Sequence, residues 1–371
     1  MKKYLSLILA ISMSLTLLTG CIGTTVVIGE CNHADTSVTT PTEPSTPNTP
    51  AAPPASTTPE NLSGATKTGL SVFTTVSDST SAADGQDGCV KYDITLAAVT
   101  VDDAGVIQSC VIDSIPASVN FDAVGSIVSN VNAAVPTKNE MGADYGMVAW
   151  GGAKAEWNEQ VAALASYAVG KTVDELKNGA IDESGKAPEG SDLASSATIY
   201  LGGYVSAIEA AVNNAQHLGA QSGDTLTLVT MNELKSSSSA AADQDGISQL
   251  DASIAVVTHQ DGVITSCYLD AVQAKIGFNT SGEITSDLTA AIPTKNEMGA
   301  DYGMVAWGGA KAEWNEQAAA FAEYVTGKTA DEVAGIAITE TTKPADGTDL
   351  ASSVTISVGG FQALIAKALE K

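Results

Sequence analysis

PTKNEMGADYGMVAWGGAKAEWNEQ occupies positions 136–160, and the same stretch recurs without a change at positions 293–317. The flanking sequences also match, with more drift, so the repeated unit is much longer than this block. Such a unit is too long for a solenoid, whose repeats span roughly 20–45 residues. The sequence therefore predicts two whole domains in series, at 67–219 and 220–371.

The first part of each unit is rich in strand formers. In the first unit, residues 92–101 and 105–113 flank a short polar turn, and residues 250–258 and 262–270 do the same in the second. Two such runs around a tight turn are typical of a β-hairpin. Each unit is therefore expected to begin with antiparallel strands.

The later part of each unit has helical periodicity. Apolar side chains at helical spacing and Thr-x-x-Glu capping boxes predict three helices in each unit. They are expected at 153–169, after 172 and over 203–215, then at 314–325, after 329 and over 361–369. Strands followed by helices favour an α+β fold in which helices cover an antiparallel sheet.

The N-terminus is typical of an exported protein. Lys2 and Lys3 precede an apolar run over 5–18, which predicts a secretion signal at 1–20. The run ends in LTGC, which resembles the bacterial lipoprotein cleavage box, and this resemblance makes Cys21 the lipid-modified first residue of the mature protein. The alternative is a plain signal peptide with an incidental cysteine. Release of a peptide signal from 1–20 is compatible with either interpretation.

Residues 21–66 are rich in proline and threonine and have no apolar periodicity. Such a segment cannot bury enough apolar surface to fold, so it predicts a disordered linker. Fully extended, about 40 residues of this composition reach on the order of 120 Å. The linker would therefore let the folded part move away from a membrane while it stays attached.

The composition excludes several functions. There are 43 Asp and Glu against 17 Lys and Arg, a formal charge of −26, which argues against binding nucleic acid. The three histidines are scattered and no CxxC motif occurs, so metal sites, haem attachment and Ser-His-Asp chemistry are not expected. Cys89, Cys110 and Cys267 are expected to be buried free thiols, with a Cys89–Cys110 disulfide as the alternative.

Other patterns have simple structural explanations. Gly170-Lys171-Thr172 follows a predicted helix and lacks the first glycine of a phosphate loop, so it indicates a helix end and an N-cap. Glu156 and Glu159 are expected on a solvated helix face. The protein is not expected to need a catalytic nucleophile or general base.

The segment DLASSATI at 192–199 recurs as DLASSVTI at 349–356. On the residues alone, Ser195 and Ser196 are natural N-caps, which predicts a loop that enters the final helix. A second interpretation uses the same geometry: backbone amides at a helix start stabilise a phosphoester on a nearby Thr198.

The segment resembles the signature Asp-x-x-(Ser/Thr)-Gly-Ala-Thr of domains modified by FAD:protein FMN transferases. These domains include the C subunit of sodium-pumping NADH:quinone reductase and the G subunit of the Rnf complex. In that family the last threonine carries FMN through a phosphoester, which implies covalent FMN at Thr198 and Thr355. The chain departs from the signature at Ser196 and Ser353, where glycine is usual, and at Val354, where alanine is usual.

The whole chain is similar to the tandem FMN-binding-domain lipoproteins of Gram-positive extracellular electron transfer. This resemblance implies a lipid-anchored carrier on the outer face of the cell membrane. It would pass electrons from a membrane quinol or NADH dehydrogenase system to acceptors such as ferric iron, rather than act as a substrate-specific enzyme. The alternatives are a solute-binding or an adhesive surface lipoprotein without a redox cofactor.

The resemblance and the unchanged block define the expected cofactor contacts in two matching sets. They are Thr198, Asp192, Ser195, Ser196, Lys138, Tyr145 and Met147 in the first unit, and Thr355, Asp349, Ser352, Ser353, Lys295, Tyr302 and Met304 in the second.

Overall fold

The computed structural model describes residues 64–370. The predicted secretion signal, the lipid site at Cys21 and nearly all of the predicted linker lie outside the described residues. Within the described range, no helix combines the length and the apolar character needed to cross a membrane.

Two three-stranded antiparallel sheets form the centre of the described part of the molecule. The first sheet contains β1 (Lys67–Thr75), β2 (Gly88–Val101) and β3 (Ile107–Phe121), and the second contains β4 (Thr225–Glu233), β5 (Gly246–Gln260) and β6 (Val263–Phe278). The predicted hairpins are β2–β3 in the first sheet and β5–β6 in the second. The first strand of each sheet, β1 or β4, was not predicted. The mixed α+β class and the antiparallel sheets are confirmed.

Within the described residues, five α-helices follow each sheet. They are α1 (Lys138–Met141), α2 (Trp157–Ala168), α3 (Val173–Ala180), α4 (Asp192–Ser196) and α5 (Gly202–Asn213), then α6 (Lys295–Met298), α7 (Trp314–Val325), α8 (Ala330–Ala334), α9 (Leu350–Ser353) and α10 (Gly359–Leu369). The predicted capping boxes are present: the Thr172 and Thr329 side chains cap α3 and α8, and Glu175 and Glu332 complete them.

Side chains of each strand alternate between two different cores. In β2, Leu96 and Ala98 belong to a core between the two sheets, whereas Ala97 and Val99 belong to a core beneath the helices of the first unit. This alternation follows from the two-residue period of a strand. Because the second sheet alternates in the same way, the layers run helix, sheet, sheet, helix, with the helices of the two units on opposite outer faces.

The two units are joined through the core between the sheets. The rings of Phe121 and Phe278 stack with their centroids 4.2 Å apart, and the hydroxyls of Tyr92 and Ser248 are hydrogen-bonded at 2.8 Å. Loops also exchange matching backbone bonds: Ala82 N donates to Gly282 O at 2.7 Å, and Ala240 N donates to Gly125 O at 2.8 Å. The repeats therefore pack as a pseudo-symmetric pair, although the predicted boundary near residue 219 does fall between α5 and β4.

The cysteines correct part of the sequence-based expectation. Cys110 and Cys267 are free thiols, as predicted, and burial raises the pKa of each to about 12. Cys89 is disulfide-bonded, so the prediction of a free thiol there is wrong. The alternative Cys89–Cys110 pairing is wrong too, because Cys110 lies opposite Val99, about ten residues and roughly 33 Å along β2 from Cys89.

Candidate functional site

The repeated threonine lies just after a short helix in each unit. In the first unit, Ser191 caps α4 by accepting a hydrogen bond from Ala194 N at 3.2 Å. Leu193 and Ala197 are buried and fix the apolar side of the segment, while Thr198 is exposed. Thr355 follows α9 in the same way and is partly exposed.

A buried glutamine holds this threonine. Gln160 Oε1 accepts hydrogen bonds from Thr198 N at 2.7 Å, from Thr198 Oγ1 at 3.2 Å and from Ile199 N at 3.2 Å. Its Nε2 donates to Ala155 O at 2.9 Å, and the residue is 1% exposed. One carboxamide on α2 therefore fixes both the backbone and the hydroxyl of the threonine.

The second unit reproduces this arrangement. Gln317 Oε1 accepts from Thr355 N at 2.7 Å, from Thr355 Oγ1 at 3.1 Å and from Ile356 N at 3.2 Å. Its Nε2 donates to Ala312 O at 2.8 Å, and Gln317 is also 1% exposed. The glutamine–threonine contact is thus a property of both units.

This geometry corrects the prediction that Ser195 and Ser196 cap the final helix. Ser195 and Ser196 lie inside α4 instead of capping the final helix, and Ser195 Oγ donates back to Asp192 O at 2.6 Å. The final helix α5 begins at Gly202, whose amide donates to a loop carbonyl. Because the amides of Thr198 and of the next residue bond Gln160, they are not free to bind a phosphate.

The remaining polar residues of the segment contribute little to the threonine contact. Asp192 and Ser196 are exposed on α4. Asp349 precedes α9, Ser352 Oγ donates to Asp349 O at 2.7 Å, and Ser353 Oγ donates to Leu350 O at 3.4 Å. These bonds are local to the short helix and stabilise its last turn.

A buried lysine lies among aromatic rings at the start of α2. Lys138 Nζ is 5.1 Å from the ring centroid of Tyr145, 5.2 Å from that of Trp157, and 4.0 Å from the Asp93 carboxylate. Burial lowers the pKa of Lys138, but attraction to Asp93 and to Tyr145 outweighs it, so the pKa lies above its usual value. The lysine therefore stays charged inside the aromatic cage.

Helix α2 brings the lysine cage and the threonine together. Trp157, which contacts Lys138, and Gln160, which contacts Thr198, are three residues apart on one helix. Side chains at this spacing lie on one face, with Cβ atoms about 5–6 Å apart. Lys138 and Thr198 are therefore both joined to this helix, Lys138 through Trp157 and Thr198 through Gln160.

The second unit has the same aromatic rings around its lysine, Lys295, but different charged neighbours. Lys295 Nζ is 4.7 Å from the ring centroid of Tyr302 and 5.2 Å from that of Trp314. Among the described residues no carboxylate forms an ion pair with Lys295. Asp251, which matches Asp93, instead accepts from the side-chain amide of Gln273 at 2.9 Å.

A loop that follows each cage is fastened by a buried glutamate. Glu156 is 8% exposed and accepts from Met147 N at 2.9 Å and from Val148 N at 3.1 Å. Glu313 makes the matching bonds to Met304 N and Val305 N, at 2.8 and 3.0 Å. The prediction that Glu156 lies on a solvated helix face is therefore wrong, because its carboxylate bonds amides of the loop before α2.

The residues that sequence reasoning missed are Gln160, Gln317, Glu156 and Glu313. All four belong to the block that is identical in both units, and this identity was the available signal. Polar residues on a predicted helix give no indication of burial until the segments that cover them are placed.

Comparison of the chain with protein-family models, with curated proteins and with solved structures found no match. Within residues 64–370, no group of three or more metal-ligating side chains is close enough to hold an ion.

Proposed function

We propose that this protein is a lipid-anchored extracellular electron carrier with one FMN attached to Thr198 and one to Thr355. The observation that carries this proposal is the recurrence, in both units, of an accessible threonine hydroxyl fixed by a buried glutamine beside a caged lysine. FMN, when bound, would supply reversible electron transfer, and the protein would supply attachment and electrostatics.

The residues of each unit have the chemistry needed to bind an FMN group attached to the threonine. Thr198 is exposed, so a transferase can approach it. Each cage would provide a lysine and an aromatic edge on the helix that also holds the threonine. They are Lys138 and Tyr145 in the first unit and Lys295 and Tyr302 in the second. A lysine held in a partly dry cage stabilises nearby negative charge more strongly than one in water does. Met147 and Met304 would add polarizable apolar contacts.

The proposed partners follow from the attachment and from the anchor. An FAD:protein FMN transferase would load both threonines, and lipid on Cys21 would hold the chain at the outer face of the cell membrane. A membrane quinone or NADH dehydrogenase system would deliver electrons. The formal charge of −26 favours cationic acceptors such as ferric iron, because an acidic surface attracts them.

The alternative function is a solute-binding or adhesive surface lipoprotein without a redox group. One observation favours it: Trp150 and Trp307 are 89% and 90% exposed, each in the loop between the lysine cage and the next helix. Tryptophan is enriched at protein interfaces, where it combines a large apolar surface with an N–H donor. A protein that remains colourless after exposure to a transferase would support this alternative.

The test is co-expression with an FAD:protein FMN transferase, followed by intact mass and in-gel flavin fluorescence under denaturing conditions. The wild-type chain should gain two FMN groups, Thr198→Ala and Thr355→Ala one each, and the double variant none. Thr341→Ala removes an exposed threonine outside the segments and should still gain two. A wild-type chain of unmodified mass would refute the proposal.

A further inference from the structure

We propose that Gln160 and Gln317 are positioning residues for flavin attachment, orienting the hydroxyls of Thr198 and Thr355 for attack on the phosphorus of FAD. This inference rests on the proposed function and adds the residues that prepare each threonine. Neither glutamine would touch the flavin or act as a base.

The hydrogen-bond geometry gives the physical reason. A threonine has few accessible χ1 rotamers, and a bond from Oγ1 to Gln160 Oε1 at 3.2 Å favours one of them. In that rotamer the hydroxyl proton faces the buried carboxamide, so the oxygen lone pairs are left toward the accessible side. A fixed nucleophile loses less freedom on reaching the transition state, which raises the rate.

The same glutamine is compatible with the threonine before and after the reaction. In the transfer, a bond forms between Thr198 Oγ1 and the FMN phosphorus of FAD, the bond from that phosphorus to the AMP oxygen breaks, and AMP leaves. The hydroxyl proton passes to the transferase or to water. Oγ1 can then no longer donate, but Gln160 Oε1 still accepts from Thr198 N and Ile199 N, so the segment keeps its position.

The sequence differences between the two units support a role of the glutamine beyond packing. Around the threonine, Ala197 becomes Val354 and Tyr200 becomes Ser357, so the apolar surroundings differ. The distance from the threonine Oγ1 to the glutamine Oε1 is nevertheless 3.2 Å in one unit and 3.1 Å in the other. If the glutamine only packed the segment, its hydrogen bonds to the two backbone amides would be enough. The third hydrogen bond, to the threonine hydroxyl, would not be needed.

The two units supply an internal control. Purified chain, transferase and FAD are mixed, and loading of each threonine is followed separately by peptide mass spectrometry. In Gln160→Met, which keeps the buried volume, we expect kcat for loading Thr198 to fall about tenfold or more while KM for the acceptor chain stays unchanged. Loading of Thr355 in the same molecules should keep its wild-type rate, and Gln317→Met should give the mirror result.

Two further measurements separate positioning from loss of fold. Ser166→Ala changes an exposed residue of the same helix and should load both threonines at wild-type rates. Hydrogen exchange over 192–199 in Gln160→Met should show a helix α4 that remains protected.

Three results would overturn the inference: wild-type loading of Thr198 in Gln160→Met, equal slowing at both threonines, or a raised KM with unchanged kcat. Loss of protection throughout 192–199 would also overturn it, since the slowing would then reflect local unfolding. A wild-type chain that gains no flavin at either threonine would instead refute the proposed function on which the inference rests.

Discussion

The two units hold the threonine in the same way but surround it differently. The glutamine–threonine bonds agree closely, whereas the lysine cages differ in two partners. Lys138 has Asp93 at 4.0 Å, and the Trp157 indole donates to the Tyr204 hydroxyl at 2.9 Å. Among the described residues of the second unit, no ion pair matches the one with Asp93, and Phe361 replaces the tyrosine. The geometry of the threonine is therefore common to both units, while the electrostatic environment of the lysine is particular to each.

A second difference lies next to the threonine segment. In the first unit Tyr200 packs on Gly185, and an added Cβ at that glycine would lie 2.2 Å from the ring. In the second unit Thr342 has a positive φ of 58°, and its hydroxyl bonds Ser357. The pairs Gly185–Tyr200 and Thr342–Ser357 show that the residue at the turn depends on the size of its neighbour.

The largest expected effect concerns a buried carboxyl group beside the second cage. Burial raises the pKa of Asp270 to about 7, and Glu297 adds to the shift, although Ala271 N, Asn296 N and Thr294 donate to the carboxylate. Burial also raises the pKa of the matching Asp113.

Between the ordinary aspartate pKa and about 7, the folded state keeps a proton that the unfolded state has released. The free energy of unfolding should therefore fall as pH rises through this window, by on the order of 4 kcal/mol, and level off above it. Asp270→Asn should flatten the pH profile in urea denaturation, and Asp113→Asn is the matched comparison. A wild-type free energy of unfolding that rises between pH 4 and pH 7 because of Asp270 would contradict the expectation.

The next effect tests the turn beside the threonine. Gly185→Thr places a side chain at a positive φ of 73° and against the Tyr200 ring, so it should destabilise the protein by about 2–3 kcal/mol. The double variant Gly185→Thr, Tyr200→Ser has the residues of the second unit at both positions. It should recover about half of the lost unfolding free energy. Guanidinium unfolding of both variants measures the coupling, and purely additive effects would show that the two positions are independent.

The smallest effect is expected from exchanging the aromatic residue that contacts the tryptophan in each unit. Tyr204→Phe gives the first cage the composition of the second and removes the hydrogen bond from the Trp157 indole, which should cost about 1 kcal/mol of unfolding free energy. Phe361→Tyr is the reverse exchange and should change stability by less, because Trp314 packs edge-on against the ring without that bond. Equal losses in both variants would show that ring packing, and not the hydrogen bond, distinguishes the cages.

Local rules predicted much of the fold. The strand formers around Asp102 and Asp261 predicted the two long hairpins, and the capping boxes at Thr172 and Thr329 placed two helix starts. The first strand of each sheet was missed. Its sequence in the first unit, KTGLSVFTT, mixes polar and apolar residues without a long alternating run, and its pairing with β2 stabilises it.

The site was predicted only in part, and the reason is contact across sequence distance. Thr198 and Lys138 were identified from their repeated segments. Gln160 was not, because its role depends on a hydrogen bond to a residue 38 positions later. Glu156 was assigned to solvent for the same reason, since the loop that buries it is placed by packing.

The amino-acid sequence by itself determined the duplication, the strand and helix periodicities, and the recurrence of a threonine segment in each unit. These properties depend on residues close together in the chain. Only the tertiary structure decided that the two sheets pack face to face, that the threonine sites lie on opposite outer faces, and that a buried carboxamide holds each hydroxyl. Such contacts join distant residues, and burial removes the competing water that would otherwise satisfy their polar groups.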